Sequence, residues 1–190
     1  MSQPMVVIDP GHGMGNRQLG VFDPGIVNAM GAQEAEWALI YARELAAAFA
    51  ARGCLTQLTR SDNVQQCSLG ARVAAARRLQ AGLLVSVHFN GDAVPGDSPK
   101  DGKLKGFEAL YRTPSSQRFA ALAAEAASNL VQVRPTKFRP DLAVLAYDPS
   151  ILLEIGFLDD PDDFALIQIE AFRKQLCAEL AFTLAEALKR

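Results

Sequence analysis

The chain has 190 residues, 49% of them hydrophobic and 21% charged, which fits one globular domain with a substantial core. Its formal net charge of −2 gives no electrostatic reason to expect a nucleic-acid partner, and no apolar stretch reaches the length of a membrane span, so stable membrane insertion is not expected either. Three cysteines, Cys54, Cys67 and Cys177, lie far apart and are odd in number, which excludes a disulfide framework or a cysteine zinc cluster.

In chain order, the first expected strand covers 5–9. Val6, Val7 and Ile8 are consecutive and β-branched, the mark of a strand buried on both faces. Pro10 and Gly11 end it, and His12 follows at its carboxyl end, where open α/β sheets place their binding sites. The glycine-rich stretch 13–31 reads as a loop. A helix is expected over 32–52 with a buried stripe through Trp37, Ala38, Tyr41, Leu45 and Ala48. Glu34 precedes the first three of these by three, four and seven residues and shares their face. Glu36 lies about 200° further round and belongs in solvent. An inward carboxylate is costly unless it is paired or metal-bound.

A strand at 55–59 and a helix at 69–80 come next. The strand expected at 82–88 ends on His88, with Asn90 and Gly91 after it. Those are the chain's only two histidines, and both occupy the same kind of place, so a shared metal is the economical reading. The polar stretch 91–105 reads as a loop bordering that site. Further elements are expected as a strand at 106–111, a helix at 116–132, strands at 142–146 and 151–155, and a helix at 168–188. The last helix docks Phe172, Leu176, Leu180, Leu184 and Leu188 as an apolar stripe. Glu154 interrupts the run Ile151, Leu152, Leu153, Ile155, where a lone ionised carboxylate must be paired, protonated or functional. An acid beside a metal-activated water would be each of these in turn. The fold class is therefore α/β: a single domain over 1–190, with a mostly parallel or mixed six-stranded sheet and helices on both faces.

Several of these stretches together resemble a known family. VVIDPGHG, GAQEAEWAL, SVHFN and LLEIGFLDDPDDF, with Leu58-Thr59-Arg60, Asp62, Leu69 and Arg72 between them, are similar to the signature stretches of the zinc-dependent N-acetylmuramoyl-L-alanine amidases of the Amidase_3 family. The resemblance spans nearly the whole chain in order. It implies that His12, Glu34 and His88 bind one Zn2+ per chain and that Glu154 is the general base and then the acid. The implied substrate is peptidoglycan or a muropeptide, cut between N-acetylmuramic acid and L-alanine. Asp9 and Asn90 flank the histidines and are candidates for orienting an imidazole or a substrate carbonyl. The chain departs from the family pattern at Arg77, where an Asn is usual, and at Met14 with a longer loop. That loop displaces Asp23-Pro24-Gly25 from its usual place. The short 91–105 stretch leaves no room for an inhibitory helix, so the site is expected to be open.

Two other enzyme classes fit less well. Zinc carboxypeptidases begin their site with H-x-x-E, and here Gly15 stands three after His12. No cysteine sits at a strand end beside a histidine, as a cysteine hydrolase would need. A non-catalytic wall-binding module is the remaining alternative. The N-terminal residues carry no secretory leader pattern. The chain is accordingly expected to be made in the cytoplasm and to act on the wall or periplasm after release, as a phage or prophage endolysin does. A bacterial enzyme of muropeptide recycling or wall remodelling is the alternative setting.

Overall fold

The computed structural model describes residues 3–91 and 105–189. Six strands form one sheet: β1 (Met5–Pro10), β4 (Leu55–Leu58), β5 (Leu83–Asn90), β6 (Glu108–Tyr111), β7 (Lys137–Phe138) and β8 (Ser150–Phe157). Their spatial order is β4-β1-β5-β8-β6-β7. The pairs β4–β1, β1–β5 and β5–β8 are parallel, and β6 runs antiparallel to β8. A separate two-stranded hairpin joins β2 (Gly13–Met14) to β3 (Phe22–Asp23). Part of the stretch expected as an unstructured loop is thus paired. The expected 91–105 loop lies outside the described residues except at its two ends.

The two faces of the sheet are covered unequally. Alternate residues Val6, Ile8, Leu83, Val85, Ile151 and Leu153 face a large core under α1 (Glu34–Ala51), α3 (Pro114–Ala127) and α5 (Glu170–Leu188). The intervening Val7, Leu84, Leu110 and Leu152 face a smaller core. Among the described residues the helices that contribute to it are α2 (Leu69–Arg78) and a short 3-10 helix, Ala143–Ala146. The period-2 alternation of a strand therefore decides which residues enter the thinly covered face. Ser86, His88, Glu108 and Glu154 all belong to it.

One expected strand is corrected. Residues 142–146 form that 3-10 turn, because Val144 and Leu145 both insert into the smaller core, which a strand cannot do with adjacent side chains. The sixth strand is instead β7. A short helix, α4 (Pro161–Ile167), precedes α5, with Asp160 capping the N–H groups of Asp162 and Asp163. On α1, Trp37 is half-buried and packs edge-on against Phe164, while Phe49 completes the stripe. Among the described residues no helix is long and apolar enough to cross a membrane.

Candidate metal centre

His12, Glu34 and His88 meet at the carboxyl ends of β1 and β5 and the first residue of α1, each offering a donor atom within 4.8 Å of the others. Glu34 lies between the imidazoles. Its Oε2 is 3.0 Å from His12 Nε2, and its Oε1 is 2.9 Å from His88 Nδ1. Both oxygens also accept backbone N–H bonds, from Ile26 at 3.0 Å and Phe89 at 3.1 Å. Burial works against the charged form of Glu34, but the hydrogen bonds to His12 and His88 outweigh it and hold the carboxyl far below its usual range. Glu36 is exposed, as the helical geometry requires.

Two glycines make room for this cluster. A Cβ on Gly11 would stand 2.3 Å from the His88 ring. One on Gly25 would stand 2.4 Å from Glu34 Oε2 and 2.8 Å from His12 Cδ2, and Gly25 has a φ of +67° besides. His12 itself takes a φ of 57°, a strained value for a residue with a side chain.

Two buried guanidiniums hold that strained turn. Arg60 donates to the carbonyls of Pro10 at 3.1 Å and Gly11 at 2.7 Å. Arg72 donates to Pro10 at 2.6 Å and to the His12 carbonyl at 2.6 Å, and pairs with Asp9 at 2.5 Å. Asp9 also accepts from Thr59 and Ser86. Asp9 therefore acts on the histidine turn through Arg72, and the structure gives it no bond to an imidazole. Asn90 caps its own strand end, accepting from Gly91, while its carbonyl accepts from Leu158. The group that meets a histidine is Asp23, 3.0 Å from His12 Nδ1 and steadied by Asn16 at 2.7 Å. Sequence reasoning noted Asp23 only as a displaced turn. The signal it missed is that a ligating imidazole usually donates its second N–H to a carboxylate.

Glu154 sits on the neighbouring strand, in register with His88 on one side and Glu108 on the other. Its Oε2 is buried and has no hydrogen-bond partner among the described residues. Burial first, then the charges of Glu34 and Glu108, push its carboxyl up to about 8. Arg60 and Arg72 spend their donors on the His12 turn and Asp9, not on Glu154.

With this geometry in view, the comparisons are decisive about ancestry. Residues 6–186 match the Amidase_3 family, described as N-acetylmuramoyl-L-alanine amidase. The chain belongs to that family. It is 29% identical to the N-acetylmuramoyl-L-alanine amidase AmiC of Neisseria meningitidis serogroup B, over 94% of this chain and 51% of that protein. It is 32% identical over 57% of its length to the uncharacterized protein YqiI of Bacillus subtilis, covering 52% of that protein. The chain thus spans about half the length of the curated relatives it matches. Among solved structures, an N-acetylmuramoyl-L-alanine amidase from Clostridium difficile 630 superposes with a TM-score of 0.84 at 26% identity, covering 100% of this chain and 98% of that one. AmiC2 of Nostoc punctiforme gives 0.84 and 26%, covering 100% and 99%. The single α/β domain described above thus matches solved N-acetylmuramoyl-L-alanine amidase structures over its whole length.

Proposed function

We propose that this chain hydrolyses the amide between N-acetylmuramic acid and L-alanine in peptidoglycan, with one zinc ion held by His12, Glu34 and His88. The observation that carries this is the juxtaposition of a three-donor His–Glu–His group with the buried Glu154 Oε2 one strand away, which has no hydrogen-bond partner among the described residues. Two imidazoles and a carboxylate are a donor set that suits zinc. Their donor atoms lie within 4.8 Å of one another, so His12, Glu34 and His88 would hold one shared ion. Zinc bound there supplies a Lewis acid for the scissile carbonyl and lowers the pKa of water.

The chain's own groups do the rest. Glu154 takes the proton of the attacking water as its oxygen adds to the carbonyl carbon. It then returns that proton to the amide nitrogen as the C–N bond breaks, leaving a lactyl carboxyl and a free alanyl amine. The raised proton affinity of Glu154 suits an acid that must hold a proton before handing it on. Asp23 fixes the His12 ring so that Nε2, not Nδ1, faces Glu34.

Defined muropeptides, with products read by mass, test this. Cleavage at the muramyl–alanine amide, lost with EDTA and restored by zinc, is expected. A chain that binds the wall without cutting it would be the non-catalytic alternative. Glu34→Ala should lose zinc while Glu36→Ala keeps it. For the biological setting we propose lysis in the manner of a phage or prophage endolysin. The bacterial origin of the relatives named above favours wall remodelling as a second reading. Rapid clearing of intact, outer-membrane-permeabilised cells is expected of the first, and trimming of sacculi without lysis of the second.

A further inference from the structure

The thinly covered face of the sheet carries a charge pattern that the hydrolysis leaves unused. Across the strand ends from β1 to β6, this face presents His12, His88, Glu154 and Glu108 in turn. Beyond Glu108 the charges turn positive. Arg134 follows Val133, which bridges to Phe107 in the large core, so Arg134 points to the opposite face. Its Nε stands 3.9 Å from Glu108 Oε1, and its guanidinium lies 5.3 Å from the centre of the Phe157 ring. Lys137 pairs with Leu110, a residue of the smaller core, and shares that face. The Arg139 N–H donates to the Tyr111 carbonyl, and its side chain is 34% exposed. Asp141 accepts from Arg139 Nε and Nη2 at 2.9 and 2.7 Å, which occupies two of the five N–H donors and fixes the plane of the guanidinium. The charge of Arg139 acts on both Glu154 and Glu108. Arg134, Lys137 and Arg139 stand against the two carboxylates Glu108 and Asp141, which leaves this margin one positive charge in excess in a chain of net charge −2.

Direction gives this margin a role. Glu154 delivers its proton to the leaving nitrogen, so that nitrogen lies over β8, with the acyl carbon on the side of His12 and His88. The strands on the side of β8 away from the histidines are β6 and β7. Two strand spacings are about 10 Å, the reach of roughly three extended residues, and arginine side chains shorten that distance. We propose that the β6–β7 margin holds the peptide half of the substrate. In this arrangement Arg139 selects peptides with a free carboxylate at the second or third residue after the scissile amide. The selection rests on the amidase reading above.

The test uses two muramyl peptides, identical except that the carboxylate at that position is free in one and a carboxamide in the other. The zinc-loaded wild type is expected to show the lower KM on the free acid, with similar kcat on both. Arg139→Gln should collapse the KM ratio toward one by raising KM for the acid roughly tenfold, the scale of a lost charge-assisted bidentate contact. Lys137→Glu, at an exposed position, should also raise KM more for the acid than for the carboxamide. Equal KM for both substrates in the wild type overturns the subsite and leaves the amidase reading intact. Equal losses on both substrates in the variants overturn it too, since Arg139 would then act on Glu154 and not on the peptide. Cleavage of neither substrate strikes the amidase reading itself.

Discussion

Glu154 Oε2, buried with no hydrogen-bond partner among the described residues, adds a pH-dependent cost to folding. Its folded pKa of about 8 lies above the ordinary value of 4.5, so the folded chain holds a proton that the unfolded chain releases. That contribution to stability is whole below pH 4.5 and is lost as pH rises through 8. Glu154→Gln should therefore flatten the fall in melting temperature of the metal-free protein between pH 5 and 9. The same variant should keep its zinc while amidase turnover drops by about 10²–10⁴-fold, the usual contribution of a positioned base. A fully active, zinc-loaded Glu154→Gln protein would sink the assigned role. Asp23 asks a different question of a single residue. Asp23→Ala leaves His12 Nδ1 without its carboxylate, so zinc affinity should weaken roughly 10–100-fold. Unchanged affinity by competition with a chromogenic chelator would remove Asp23 from the centre.

At the scale of elements, the legible parts were those with a strong period. The buried strands β1, β5 and β8 and the inward face of α1 declared themselves because each side chain reports its own environment. The 142–146 segment misled because a short apolar run suits a strand and a buried turn equally. The two-residue β7, next to Arg139-Pro140, has too little sequence to carry any pattern. Helix α4 was legible in principle, since Asp160-Pro161 is a cap followed by a first-turn proline. The three-donor group His12, Glu34 and His88 could be read from its places at element ends, but Asp23 could not, because its loop carries no period. Arg72 shows the same limit. The family resemblance singles it out beside Leu69, yet only the fold reveals that it is buried on α2 and clamps the His12 turn. Arg72→Met should cost roughly 3–5 kcal/mol, because it strands the Asp9 carboxylate. It should also weaken zinc binding in the fraction that still folds, since it removes the donor to the His12 carbonyl. Arg77→Met, exposed on the same helix, should do neither. Chemical denaturation together with zinc titration separates the two effects.

In the proposed zinc site the three donors come from the turn after β1, the start of α1 and β5, so a bound metal would tie the large-core helix to the sheet centre. Without metal, the buried Glu34 carboxylate keeps the cluster together by pairing with the histidines. Burial alone would lower the proton affinity of His12, but its bonds to Glu34 and then Asp23 outweigh that and raise it above 6.5. The stabilisation this proton brings is whole below pH 6.5 and is lost as pH rises through the raised folded value. Glu34, with its depressed pKa, contributes above 4.5 and loses that contribution only in stronger acid. The metal-free cluster is therefore best satisfied between about pH 4.5 and the upper titration of His12. Zinc must displace the His12 proton, so its binding strengthens across the pH range in which the metal-free pairing fades. At a free zinc level of 100 times Kd the gain is about 2.7 kcal/mol, or roughly 5–10 °C for a domain of this size. The rise in melting temperature on adding zinc should thus be small near pH 6 and grow toward pH 8. Measuring it in Glu154→Gln removes the other titrating carboxyl from the comparison. A rise that is independent of pH over that range would mean that zinc does not compete for the His12 proton, and would place the metal elsewhere.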